Sequence, residues 1–524
     1  MVGGMTAPLK AGRREWTGLA VLMLPLLLIS MDMTVLYYAV PAISGALSPT
    51  SSEQLWILDI YGFVLAGLLV TMGTLGDRIG RRLLLTIGAA AFGIASVASA
   101  YAQSAGALIG ARAILGIAGA TLMPSTMALV RNMFHDPKQR RTALGVWMAV
   151  FSSGTAIGPL VSGFLLDHFW WGSVFLINVP VMVLLVVLGP ILLPESRDPH
   201  PGRFDLFSAA LSLAAVLPTI YGIKQAAQDG FGWIPALTIA AGLAVGVVFV
   251  RRQRRRADPM VDVRLFRHRS FSASVLINVL AVFALVGYAL FTTQYLQLVL
   301  GLSPIAAALW SLPATVAVAV AATVVGILAK AVRPAYLMAG GLLLGAAGLL
   351  VLTQIGAGSG LAVVLTGATM MAAGVVSAMT LTADMILATA PPERAGAASA
   401  ISETASEFGG ALGIALLGSI GAAVYRHEVA GALPAGLPAD ARAAASDTLG
   451  GAAAVVAELP GPVGAALLGA ARVAFTDGLN IAALAGAATM TVAAVLAVVL
   501  LRTVTVGTTP AKQATPEQDL VSAR

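Results

Sequence analysis

The segment Gly73-Thr-Leu-Gly-Asp77-Arg78-Ile-Gly80-Arg81-Arg82 joins two long apolar runs, at 54–75 and 83–102. Each run is long enough to cross a hydrocarbon core of about 30 Å, for which a helix needs about 20 residues. Arginines beside membrane spans collect on the cytoplasmic side. The segment therefore predicts two membrane-spanning helices joined by a tight cytoplasmic loop.

The same alternation of apolar runs and short polar loops continues over the whole chain of 524 residues. Hydrophobic residues make up 58% of the chain and charged residues 10%, whereas soluble domains contain about 25% charged residues. Because the runs are too long for strands and lack a two-residue alternation, they predict an all-α integral membrane protein. We expect about fourteen transmembrane helices, near 17–43, 54–75, 83–102, 106–130, 141–165, 172–193, 206–226, 233–250, 271–299, 303–329, 334–354, 360–388, 398–425 and 477–501.

The positive charges predict how these helices are oriented. If the N-terminus is cytoplasmic, all but five of the 31 Lys and Arg residues fall in cytoplasmic segments. Arg112 lies within a span, and the other four lie on the outer side: Lys224, Arg426, Arg442 and Arg472. We therefore expect a multi-pass protein of the plasma (inner) membrane with both termini in the cytoplasm.

The net charge of +7 does not indicate nucleic-acid binding, because the basic run at 251–256 directly follows a span. Its position suits a topology anchor or a contact with anionic membrane lipids.

Four segments lie outside the regular spans. The N-terminal tail (1–16) and the C-terminal tail (502–524) are expected in the cytoplasm. A basic cytoplasmic connector is predicted at 251–270, with a short amphipathic helix from about Val261 to Phe266. An outer loop is predicted at 426–476, where the apolar stretches 452–457 and 463–475 are too short to span and suggest short helices against the outer mouth.

Motifs in the first five predicted spans carry more specific information. In the 73–82 loop, glycines allow a tight turn and Asp77 can accept charge-assisted bonds from arginines. The first span contains Asp32-Met-Thr-Val and ends at Pro41. The segment 108–116 is centred on Arg112, and 154–163 reads Gly-Thr-Ala-Ile-Gly-Pro-Leu-Val-Ser-Gly.

These four motifs together resemble those of the major facilitator superfamily, in particular its fourteen-span drug:proton antiporters. The resemblance implies a major facilitator fold with six-helix halves at 17–193 and 271–501, and two additional central helices at 206–250. It implies proton-coupled efflux of lipophilic, mostly cationic drugs by alternating access: quaternary ammonium compounds, dyes and, as a further candidate class, fluoroquinolones. Two departures are Tyr37 and Tyr38, which replace a polar and a small residue, and the absence of an acid from the tenth span.

Alternating access needs elements that move. We expect the small residues of 154–163 to permit sliding, Pro159 to bend the fifth span, and the Asp77 loop to latch the cytoplasmic side. The predicted gating residues are Gly73, Asp77, Arg78, Gly80, Arg81, Gly154, Gly158, Pro159 and Gly163.

Charges inside the spans predict the coupling site, because an ionised acid at the centre of a membrane helix costs at least about 2.5–3.5 kcal/mol. The candidate residues are Asp32, Asp59, Arg112, Asp384, Glu403 and Glu407. Asp59 and Arg112 lie at similar depth, roughly 9 Å from the outer ends of their spans at 1.5 Å per residue, so they are expected to pair, with Asp32 deeper. A purely structural Asp59–Arg112 pair is the alternative.

Glu403 and Glu407 are four residues apart and share one helix face. Two neighbouring carboxylates resist double ionisation, which suits a group that exchanges a proton for a cation. The alternatives are that Glu403 is solvated near the cytoplasm and that Asp384 lies at the interface. Aromatic rings can bind lipophilic cations, although each is also compatible with packing: Tyr37, Trp56, Tyr61, Phe291, Tyr295 and Phe408.

The sequence predicts no cofactor other than protons as the coupling ion, and no enzymatic activity. It lacks the phosphate loop of nucleotide-driven transporters and any catalytic elbow or metal-ligand cluster. We expect the protein to function as a monomer, with lipophilic cations and membrane lipids as partners. A dedicated exporter of one antibiotic, lipid or siderophore stays open as an alternative, and an ion channel or a membrane enzyme as remote ones.

Overall fold

The computed structural model describes residues 11–197, 205–229, 232–256, 259, 263–356, 360–389, 395–434, 437–457, 459 and 461–502. Within these ranges, all regular structure is helical, and 14 helical segments are long and apolar enough to cross a membrane. This agrees with the number of spans that the sequence predicts.

The first six spans are built from seven helices: α1 (Arg13–Leu47), α2 (Ser51–Ile79), α3 (Arg81–Ala100), α4 (Ala105–Met133), α5 (Pro137–His168), α6 (Ser173–Leu176) and α7 (Asn178–Leu192). Local sequence signals determine where these helices begin. Thr50 caps α2 by accepting a hydrogen bond from the Glu53 amide, and Glu53 accepts one from the Thr50 amide in return. Asp136 caps α5 in front of Pro137, which suits the first helical position.

Glycines bring the helices of this half close together. At Gly116 on α4, an added Cβ would lie 2.8 Å from the Tyr61 carbonyl oxygen of α2. Such a distance is shorter than van der Waals contact, so only glycine fits there without movement of the backbone.

The two additional helices are α8 (Leu206–Asp229) and α9 (Trp233–Arg255). α8 packs on helices of both halves: Leu213 contacts Gly67 of α2, and Ile220 packs with Phe63 of α2 and Ala411 of the thirteenth span. The basic connector starts later than predicted, because α9 continues through Arg255.

Only part of the predicted connector helix can be compared with the structure. Val261 lies outside the described residues, and a single 3₁₀ turn covers Leu265–Arg267. The tail predicted at 502–524 lies outside them as well, except for Arg502.

The remaining spans are α10 (Arg269–Gln294), α11 (Pro304–Trp310) with α12 (Leu312–Leu328), α13 (Pro334–Leu352), α14 (Leu361–Thr389), α15 (Ala395–Val429) and α18 (Gly461–Leu501). A π-helical turn at Tyr295–Val299 extends α10. Two short helices, α16 (Ala439–Asp447) and α17 (Leu449–Val456), lie between α15 and α18.

The prediction of a separate short helix at 463–475 is wrong, because α18 already begins at Gly461 and continues to Leu501. Leu467, Ala471 and Ala474 are buried in the core of this half, so packing extends the last helix beyond the predicted span 477–501. The short helix predicted at 452–457 corresponds to the second half of α17.

We call the end of the bundle that contains the loops at 78–82 and 131–141 the basic end, and the opposite end the far end. Hydrogen bonds join the two halves at the far end. Gln297 donates to the Tyr38 carbonyl oxygen (3.1 Å) and the Tyr38 hydroxyl to Ser311 (2.8 Å). The Ser51 hydroxyl donates to the Asp447 carbonyl oxygen (2.6 Å).

A cavity of about 40 Å³ lies at this junction, lined among others by Gln54 and Phe291. It has room for water but not for a drug-sized molecule.

The close approach of α4 to α2 leads to a stability prediction. Gly116→Ala is expected to destabilise the protein by about 1–3 kcal/mol, because the new methyl group overpacks against the α2 backbone. Gly110→Ala on the same helix is the matched control, since its Cβ meets nothing within 4 Å. Thermal unfolding of both purified variants in detergent tests this, and equal midpoints would contradict the tight contact.

Candidate coupling and gating sites

A buried ion pair joins α1 to α4. Arg112 Nη1 lies 2.6 Å from Asp32 Oδ2, and the two side chains are 2% and 5% exposed. Arg112 Nε donates to the Ile57 carbonyl oxygen of α2 (3.1 Å), and its guanidinium lies 4.7 Å from the centre of the Tyr61 ring. One arginine therefore ties three helices together in a low-dielectric interior, where an unpaired charge would be costly.

The predicted pairing of Asp59 with Arg112 is therefore wrong. Similar depth of two Cα atoms does not select a partner, because the long arginine side chain reaches across helical turns. The hydrogen bond to Ile57 holds the guanidinium so that Nη1 meets Asp32 of α1.

Asp59 is paired with a residue that the sequence predicts on the outer side. Lys224 Nζ of α8 lies 2.5 Å from Asp59 Oδ2, and the two side chains are 1% and 0% exposed. The ammonium also lies 4.2 Å from the centre of the Trp56 ring. One signal could have revealed the pair: Lys224 falls inside the predicted span 206–226, where a lysine needs a carboxylate.

Glu403 and Glu407 lie half-buried on one face of α15. Glu407 Oε2 faces α2 at Gly62, where an added Cβ would lie 3.4 Å from it. No salt bridge to either carboxylate is found among the described residues. These two acids differ in this respect from Asp32 and Asp59, and such a pair can take up a proton or an external cation.

The other predicted coupling residue, Asp384, is exposed on α14 close to the basic end. This position matches the interfacial alternative rather than a place beside the buried ion pairs.

The glycines of 154–163 contact two different helices. Added Cβ atoms would lie 2.7 Å from the Leu27 carbonyl oxygen at Gly154 and 3.2 Å from the Met31 carbonyl oxygen at Gly158, both on α1. At Gly163 the Cβ would lie 2.6 Å from Ile305 Cα of α11, in the second half. The motif thus brings α5 against α1, and against the opposite half at the far end. Pro159 lies inside α5.

The Asp77 loop is held within the first half. Asp77 pairs with Arg81 at 2.5 Å, as the sequence suggests, and Gly80 connects α2 to α3 with a φ of 113°, which favours glycine. Glu195, which sequence reasoning missed, accepts from the Arg82 amide (3.1 Å) and lies against Gly80.

The other two predicted gating residues of this segment differ in burial. Gly73 lies beside Pro124 of α4, and the Arg78 side chain is exposed.

The predicted pocket aromatics separate into two groups. Trp56, Tyr61 and Phe408 lie beside the buried charges or on the α2–α15 side of α8. Tyr37 packs against the apolar clusters of both halves. Tyr295 instead is fully buried in the second half and donates to the Gly356 carbonyl oxygen (2.7 Å). Phe291 packs against Phe475 in the same core. Tyr295 is therefore a packing residue rather than part of a pocket.

Comparison with known proteins agrees with this architecture. Residues 22–414 match the model of the Major Facilitator Superfamily, and the chain belongs to that superfamily of transporters. It is 46% identical to the multidrug efflux pump LfrA of Mycolicibacterium smegmatis, over 95% of this chain and 98% of LfrA. It is 37% identical to the methyl viologen resistance protein SmvA of Salmonella typhimurium, over 88% of this chain and 93% of SmvA.

The fold is similar to that of a bacterial homologue of the human lysosomal transporter Spinster, in an inward-facing, unoccupied crystal structure. The TM-score is 0.67 at 18% sequence identity, over 94% of this chain and 98% of the other.

Loss of one partner of the Asp32–Arg112 pair is expected to lower the free energy of unfolding. Asp32→Asn should destabilise the protein by about 3–5 kcal/mol, because it leaves the Arg112 charge buried without a counterion. Asp384→Asn, a matched change at an exposed site, should stay within about 0.5 kcal/mol of the wild type. Chemical unfolding in mixed micelles measures both, and the double variant Asp32→Asn/Arg112→Met should regain part of the loss.

Proposed function

We propose that the protein exports lipophilic cations from the cytoplasm in exchange for protons. The observation that carries this proposal is the Glu403–Glu407 pair, which lacks a salt bridge in the described part of the chain, whereas Asp32 and Asp59 are neutralised by Arg112 and Lys224. Similarity to a multidrug efflux pump and to a methyl viologen resistance protein supports drug cations as substrates.

The exchange follows from charge balance. An ionised carboxylate attracts an organic cation, and protonation of the same group removes the attraction and releases the cation. Because Glu403 and Glu407 are one helical turn apart, each disfavours ionisation of the other and makes proton uptake easier. The proposal thus assigns the exchange to the two acids of α15, out of the coupling candidates that the sequence offers.

The protonmotive force can drive this exchange. Moving one charge across the membrane yields about 2.3 kcal/mol per 100 mV, to which the pH gradient adds. With the basic end in the cytoplasm of a cell and the far end outside, protons enter from the far end and substrate from the basic end. This orientation follows the distribution of Lys and Arg in the loops.

Alternation requires that the two halves separate at one end while they meet at the other. The far-end contacts of Tyr38 with Gln297 and Ser311 suit a state that is open to the cytoplasm. In the opposite state these contacts would break, and α5 would move against α11 at Gly163. The Asp77 loop would then latch the cytoplasmic side.

The proposal predicts proton-dependent transport and release. Everted vesicles with the wild type should transport ethidium and tetraphenylphosphonium, and a collapsed pH gradient should abolish most of the flux. In purified protein, Glu407→Gln should reduce substrate-induced proton release by about half, because one of two exchanging acids is lost. Glu428→Gln, an exposed position on the same helix, is the control.

Wild-type-like proton release in Glu407→Gln would contradict the assignment. Transport of only one compound from a broad panel would favour the dedicated exporter.

A separate prediction concerns the gate. Asp77→Asn should slow transport by about tenfold or more while the affinity for tetraphenylphosphonium changes less than about twofold, since the residue acts on a conformational step. Asp167→Asn, at an exposed site near the far end, should transport normally. Lost binding in Asp77→Asn would show that the loop does more than gate.

A further inference from the structure

Building on the proposed export of organic cations, we propose that Trp56 and Asp59 form a cation subsite that the chain occupies with its own Lys224. This tethered ammonium limits how many positive charges a substrate can carry. Lys224 is thus a specificity-determining residue contributed by the additional helices.

The surroundings of the Lys224 ammonium are those of a bound organic cation. A carboxylate oxygen lies 2.5 Å away on one side, and the Trp56 ring centre lies 4.2 Å away on another. A carboxylate combined with an aromatic face is the usual composition of a site for quaternary or primary ammonium groups. Both side chains of the ion pair are essentially inaccessible, so solvent does not screen their charges.

The position of α8 places this cation beside the exchange site. Asp59 and Gly62 are three residues apart on α2, and Gly62 faces the Glu407 carboxylate. A charge at position 224 or 59 therefore acts on a substrate held near α15.

The interior charges of the described residues can be balanced one by one. Arg112 neutralises Asp32 and Lys224 neutralises Asp59, which leaves Glu403 and Glu407 for external cations and protons. Without Lys224, a third carboxylate becomes available to a substrate. At an effective dielectric constant of about 20, a unit charge about 10 Å away changes the affinity for each substrate charge on the order of tenfold.

A purely structural ion pair leads to a different expectation. Breaking it would lower stability and would weaken the binding of monovalent and divalent cations alike. A tethered cation instead changes their relative affinities. Two substrates distinguish these roles: tetraphenylphosphonium, a monocation, and methyl viologen, a dication. The quantity to measure is the ratio of the dissociation constant of tetraphenylphosphonium to that of methyl viologen.

The experiment measures this ratio by equilibrium dialysis with the purified full-length protein in lipid nanodiscs. Lys224→Met should raise the ratio about tenfold, because the freed carboxylate favours the dication. Asp59→Asn should lower it by a similar factor, because Lys224 is then an uncompensated positive charge. Lys224→Met/Asp59→Asn should return to the wild-type ratio, as should Lys330→Met, a change of an exposed lysine.

Either single variant suffices if the other does not fold, because the two shifts have opposite signs. A ratio within about twofold of the wild type in a folded single variant would overturn the inference, even if its unfolding midpoint falls. A shift that persists in the double variant would also overturn it. A wild type that binds neither cation would instead contradict the proposed function.

Discussion

The hydrocarbon core tolerates few charges, and most of the interior organisation follows from how each charge is neutralised. Arg112 neutralises Asp32 and also binds the Ile57 carbonyl oxygen, so it holds α1, α2 and α4 together. Lys224 neutralises Asp59 and attaches α8 to α2. Because both pairs are buried, breaking either leaves a charge without water or a counterion. The two acids of α15 have no such ion-pair partner among the described residues.

The same constraint explains how one of the additional helices is attached to the first half. α8 is bound to α2 by an ion pair, but it meets α15 through apolar contacts such as Ile220 with Ala411. α8 thereby places the Lys224 ammonium inside the helix bundle.

The elements proposed for gating combine close backbone contacts on α5 with the charged Asp77 loop. Gly154 and Gly158 let α5 touch α1, while Gly163 lets it touch α11 of the opposite half. A backbone contact without side chains can break and reform with little rearrangement. At the basic end, Asp77 pairs with Arg81 of its own half, and Glu195 holds the neighbouring backbone. The Asp77 loop is thus held by residues of its own half.

The sequence by itself determined the fourteen spans, the superfamily and the acids inside the membrane, because hydrophobic length and local motifs are properties of contiguous residues. It did not determine that Arg112 meets Asp32, that Lys224 lies buried against Asp59, or that α18 begins at Gly461. Those features depend on which helices are neighbours and how each is rotated about its axis. Packing among distant segments fixes both, so only the tertiary structure decided which acids are neutralised and which have no ion-pair partner among the described residues.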